Sequence, residues 1–99
     1  MRSDGDIKLL RSAQNALLYQ ITSKVRSVSF DIDGKTILAR AVFEPTPTED
    51  EIELISDAFG YVIGDYQDEL ISEQMIVSPD PLSELNLRLL AYQRFEPGS

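Results

Sequence analysis

The 99-residue chain contains no cysteine and no histidine. Without thiols it can form neither a disulfide nor a thiolate zinc site, and without imidazole it lacks the commonest general base and metal ligand. A third absence is local. Residues 41–87 hold no lysine or arginine but twelve carboxylates, whereas residues 1–40 hold seven basic and four acidic side chains. The net charge of −8 therefore comes from one continuous stretch. Such a one-signed field repels phosphate backbones and anionic lipid, so nucleic-acid and membrane binding are disfavoured and a basic partner is favoured.

Apolar residues make up 42% of the chain, which suits one core. A chain this short buries only about 60–65% of its unfolded surface, leaving little material to enclose a roomy active site. No Gly/Ser-rich stretch divides the sequence, so one domain over residues 1–99 is expected, with 96–99 as a flexible tail. Asp4, Asp6, Lys8 and Arg11 interrupt the first twenty residues, which excludes a signal-peptide core or a spanning helix there. The expected compartment is the cytoplasm.

Ile7, Leu10, Ala13, Leu17 and Ile21 recur at helical spacing and predict a helix (α1) over about 6–22, with Ser3, Asp4 and Asp6 as capping candidates. From Ser27 the period changes to two. Val28, Phe30 and Ile32 share one face of a first strand (β1), and Ile37, Ala39, Ala41 and Phe43 one face of a second (β2). Asp33-Gly34 between them signals a two-residue hairpin turn, which would pair Phe30 with Ile37 and Val28 with Ala39, and set Val25 opposite Val42 on the outer face.

Thr46-Pro47-Thr48-Glu49 fits a capping box with proline at the first helical position, and Thr48 with Glu51 offers a second register. Ile52, Ile55, Phe59, Val62, Ile63 and Tyr66 then form one stripe of a helix (α2) over about 47–66. Gly60 and Gly64 cost that helix propensity, and a close backbone approach, such as by α1, would explain them. Leu70–Val77 reads as a third strand (β3) and Leu87–Phe95 as a fourth (β4), whose Leu87, Leu89, Ala91 and Phe95 share a face.

The order αββαββ predicts an α+β two-layer sandwich with two helices on one face of a four-stranded antiparallel sheet. It is a circularly permuted ferredoxin-like arrangement with strand order β3-β4-β2-β1.

Chemistry has little foothold. Asp31-Ile32-Asp33-Gly34 is similar to the Asp-x-Asp-Gly phosphate-transfer motif of haloacid-dehalogenase-like enzymes. The larger domain, downstream lysine and metal ligands of that reaction are missing, and the turn accounts for Asp33-Gly34. As a calcium loop the stretch has too few oxygens. Glu49, Asp50, Glu51 and Glu53 complement the dipole of a first helical turn. No catalytic residue, metal ligand or cofactor site is expected, and the chain is not expected to be an enzyme.

Two surfaces are candidates for partner binding. One is acidic: Glu53 and Asp57 on the outer side of α2, with Asp65, Asp68, Glu69 and Glu73 leading into and along β3. The other is the open sheet face, where Leu38, Arg40 and Val42 would meet Arg88, Leu90, Tyr92 and Arg94, with Leu90 and Tyr92 as contact residues. A homodimer or small adaptor using this second face is the structural alternative.

Ala13-Gln14-x-Ala16-Leu17-Leu18, Val25-Arg26-Ser27-Val28-Ser29-Phe30, the Pro-Thr-Glu-Asp-Glu opening of α2 and Val62-Ile63-x-Asp65-Tyr66 resemble a family of small bacterial proteins. These are immunity proteins of toxin systems, including contact-dependent growth inhibition. The resemblance covers nearly the whole chain and rests on core and capping residues. It implies a cytoplasmic inhibitor that binds and blocks a basic toxin domain, such as a nuclease, and it carries no site residue with it.

Overall fold

The computed structural model describes residues 3–96. Its elements run α1 Asp4–Leu17, β1 Val25–Asp33, β2 Thr36–Phe43, α2 Glu49–Gly64, β3 Leu70–Val77, a one-turn α3 Leu82–Leu85, and β4 Leu89–Gln93. Both long helices begin on capping boxes. Ser3 Oγ accepts from the amide of Asp6, whose carboxylate accepts from the amide of Ser3. Thr48 and Glu51 do the same for α2, so of the two available registers the second forms and Pro47 stays outside the helix. Helix α1 stops at Leu17, five residues short of the expectation, because the chain turns at Tyr19 in a left-handed conformation (φ 66°).

The hairpin turn falls one residue later than expected, on Gly34-Lys35. Gly34 alone takes a positive φ (61°), the pattern of a type II′ turn with glycine first. Phe30 therefore pairs with Ala39 and Val28 with Ala41, a slip of two residues from the predicted register. A slip of two preserves parity, so the inner face survives at Val28, Phe30, Ile37, Ala39, Ala41 and Phe43, which are all buried, whereas Ile32, expected with them, is exposed where β1 runs out beyond the core. A bulge at Arg26 then sets Val25 opposite Phe43, turning it into the core rather than outward opposite Val42.

The sheet order is β3-β2-β1-β4, not β3-β4-β2-β1. Helix α2 returns β3 alongside β2 in parallel, with all eight residues in register, so the sheet is mixed rather than antiparallel. Strand β4 pairs antiparallel with β1 at the opposite edge. The permuted ferredoxin-like topology is thus replaced by a central β1–β2 hairpin flanked by one crossover strand and one edge strand.

Leu9, Leu10, Ala13 and Leu17 of α1 and Ile55, Ala58, Phe59 and Val62 of α2 pack on the inner face. Phe59 meets Phe30 edge-on, with ring centroids 5.5 Å apart. On β3 the odd parity turns inward at Ile71 and Met75.

The outer face is not open. Arg26 donates to the carbonyls of Ser78 and Asp80, Ser27 Oγ to Asn86 Oδ1, the amide of Leu87 to Ser29 Oγ, and Arg40 to the carbonyl of Leu85. Segment 78–88 thereby lies across that face and buries Leu82 and Val42. The apolar surplus of the outer face is answered within the chain. Glu96, expected in the tail, bonds both Arg26 and Arg94; the remaining tail positions 97–99 lie outside the described residues.

Among the described residues, a Cβ built at Gly60 or Gly64 meets nothing within 4 Å beyond the adjoining helix backbone. The close approach by α1 does not occur. Gly60→Ala should therefore raise unfolding stability by about 1 kcal/mol, checked by urea denaturation. Leu82→Ala should lower it by about 2–5 kcal/mol if segment 78–88 is a true part of the core.

Candidate functional site

Charge pairing divides the molecule. Lys24, Arg26, Arg88 and Arg94 are in salt bridges with Glu44, Glu96, Asp6 and Asp31. Arg40 is spent on Gln74 and the carbonyl of Leu85. Among the described residues no carboxylate from Glu49 to Glu73 forms a salt bridge, so the acidic stretch of the sequence becomes an unpaired acidic flank. Nor do the described residues gather three or more Asp or Glu side chains in an arrangement that could hold a metal.

The perturbed carboxyls belong to the paired half and to the caps. The Arg88 guanidinium grips Asp6 through both oxygens (2.9 and 3.0 Å) and, with Ser3, holds its carboxyl down at about 2. Arg94 lowers Glu44, and the amide of Thr48 with the hydroxyl of Thr22 lowers Glu51. These groups serve the fold rather than proton transfer.

Along the outer side of α2, Asp50, Glu53 and Asp57 follow one another at i, i+3 and i+7 and line a shallow depression with Leu54. Asp57, Gly60 and Tyr61 continue it beside Gln20. The depression opens into a cleft of about 570 Å³ between the two helices, lined by Ser12, Asn15, Ala16, Leu18, Tyr19, Gln20, Tyr61 and Asp65. Ser12 Oγ donates to Asp65 and fixes that carboxylate on the cleft wall. Leu18, Tyr19 and Tyr61 are 61%, 98% and 70% exposed. Among the described residues, the buried oxygen Gln20 Oε1 has no hydrogen-bond partner.

The expected site residues separate into three places. Glu53 and Asp57 share the outer side of α2, and Asp65, its C-cap, is held on the cleft wall by Ser12 of α1. Glu73 joins the β3 side of α2 by accepting from Ser56 Oγ at 2.8 Å, and Asp68 with Glu69 forms the turn beyond the helix. Leu90 and Tyr92 lie on β4, at the other edge of the sheet. A bulge between Val28 and Ser29 in the β1–β4 register sets Tyr92 opposite Val28, so its ring packs against the core instead of facing out; Leu90 stays on the outer face. The aromatic cleft was missed by sequence reasoning. Tyr61 lay visibly outside the apolar stripe of α2, whereas Tyr19 was hidden by extending α1 past it.

Stability should follow the Arg88–Asp6 pair as pH falls. A depressed folded pKa contributes stability that is complete above the ordinary carboxylate value of 3.8 and is lost as pH drops towards about 2. Urea midpoints measured from pH 5 to 2 should therefore decline, and more shallowly for Asp6→Asn; Glu44 and Glu51 keep part of the slope.

Among the described residues, no helix is long and apolar enough to cross a membrane. Comparison with curated proteins yields no match. A family model described as MafI2 immunity protein matches residues 6–96.

Proposed function

Because the chain belongs to the MafI2 immunity protein family, a membership that implies neutralisation of a cognate Maf toxin, we propose that it acts by binding a basic toxin domain through the acidic outer side of α2. The observation that carries this reading is the segregation of charge. Four of the nine lysine and arginine side chains are held in internal salt bridges, and among the described residues the carboxylates of α2 and of the α2–β3 turn form none. An uncompensated acidic flank costs stability through self-repulsion and raises the rate of encounter with a basic surface.

A toxin that works on nucleic acid would carry such a basic surface, and masking it would block the substrate without any chemistry by the inhibitor. The matched family points to a Maf toxin as the partner rather than to contact-dependent growth inhibition in particular. Its neutralisation would take place in the cytoplasm. The homodimer reading loses support from the covering of the outer sheet face by segment 78–88.

Co-expression with the cognate Maf toxin domain should restore growth. Reversing Glu53, Asp57, Asp68 and Glu69 to lysine should slow association with the purified toxin domain by tenfold or more at low salt and flatten the dependence of the association rate on ionic strength. Association by the reversed variant at the wild-type rate would refute the acidic surface as the binding site.

A further inference from the structure

We propose that the aromatic cleft between the end of α1 and the outer side of α2 is the anchor of the toxin interface, receiving a lysine- or arginine-bearing segment of the toxin across Tyr19 and Tyr61. The inference rests on the immunity reading and adds to it a defined place and chemistry of contact.

Three observations converge on this cleft. The first is exposure. Leu18, Tyr19 and Tyr61 line one concavity and are each more than half exposed, although tyrosine and leucine are residues a fold ordinarily buries. Tyrosine supplies large, stiff contact area at low entropic cost and is enriched at the energetic centres of interfaces. The second is backbone conformation. Tyr19 holds a left-handed φ of 66°, which is unfavourable for a side-chain-bearing residue, while its ring is 98% exposed and gives the core nothing in return. Glycine or asparagine would occupy that position more comfortably.

The third is the bare crest of α2. Asp57, Gly60, Tyr61, Gly64 and Asp65 follow the i, i+3, i+4, i+7, i+8 pattern of one helical side, and among the described residues nothing outside the adjoining helix backbone lies within 4 Å of where a Cβ would sit on either glycine. The space left there suits the approach of a second backbone.

Charge decides the occupant. Asp57 and Asp65 flank Tyr61, with Asp50 and Glu53 further along the same side, and α2 has no cation of its own. A guanidinium or ammonium lying on the tyrosine faces would reach these carboxylates, combining a cation–π contact with ion pairing. Lys8 and Arg11 line the neighbouring depression beyond Asp65 and so bound the cationic site on that side.

The test uses the purified cognate Maf toxin domain with the full chain and the variants Tyr19→Gly, Tyr61→Ala, Tyr61→Phe and Gly60→Arg. None of the tyrosine variants alters charge at neutral pH. Tyr19→Gly and Tyr61→Ala should each raise the dissociation rate about tenfold or more, leaving the salt dependence of association as in the wild type. Tyr61→Phe should retain most of the affinity. Tyr19→Gly should unfold at a urea concentration no lower than the wild type, which separates lost contact from lost fold. Gly60→Arg should abolish tight binding by filling the crest.

Wild-type dissociation rates in Tyr19→Gly and Tyr61→Ala would overturn the anchor while leaving the acidic steering surface intact. Failure of the wild-type chain itself to bind or neutralise the toxin would overturn the immunity reading and the anchor together.

Discussion

From Val25 to Phe30 strand β1 is buried on both faces although only one of them is apolar, and the rest of the structure depends on how that is resolved. Arg26, Ser27 and Ser29 are at most 5% exposed, and buried polar groups are costly unless every donor and acceptor finds a partner. The partners come from segment 78–88 and from Glu96, which close over the outer face and bring Leu82 with them. The small serines let that segment lie close to the sheet. Arg40 adds a bond to the carbonyl of Leu85 in the same segment, while Arg88 ties β4's approach to Asp6 of α1 and Arg94 ties its end to Glu44 and Glu96.

These pairings give the charge map its shape. Of the basic residues in the first forty positions, Arg26 and Arg40 are fasteners of the sheet and Lys24 pairs with Glu44, whereas Lys8 and Arg11 stay exposed on α1. The acidic flank is the contribution of α2 and the turn after it. Charge segregation along the sequence thus becomes in part segregation by role, with Lys24, Arg26, Arg88 and Arg94 in salt bridges and, among the described residues, no carboxylate from Glu49 to Glu73 in one.

Much of this architecture was legible in the sequence, and the failures have specific causes. Alternation placed the inner faces of β1 and β2 correctly even though the turn was read one residue early, because the side-chain period of a strand is insensitive to a slip of two. The bounds of β3 agree with the expectation, and both helix starts were visible as capping residues. The sheet order was not legible. The apolar run of Leu87–Phe95 suggested a central strand, whereas its residues divide between the core, the outer face and a bulge at the edge. The polarity of Arg26, Ser27 and Ser29 concealed that β1 is a central strand, since burial through hydrogen bonds leaves no hydropathy signal. One turn of helix at Leu82–Leu85, too short for periodicity, hid the cover of the outer face. The acidic part of the candidate site followed from composition, whereas the cleft required the end of α1 to be known.

A sequence selected only for stability would remove several features found together on one side of this molecule. It would place glycine at position 19, alanine at 60 and 64, and an occasional lysine among the carboxylates of α2, since each change relieves strain, entropy or repulsion. Local departures from consistency with the fold tend to coincide with functional sites, because only a requirement outside folding opposes their loss. Here the departures involve unrelated kinds of energy: backbone conformation at Tyr19, helix propensity at Gly60, electrostatic repulsion along Asp50, Glu53 and Asp57, and exposed apolar area at Leu18 and Tyr61. Their convergence on the flank formed by α2 and the end of α1 is the physical reason for proposing that flank, rather than the paired face of the sheet, as the surface a partner would meet.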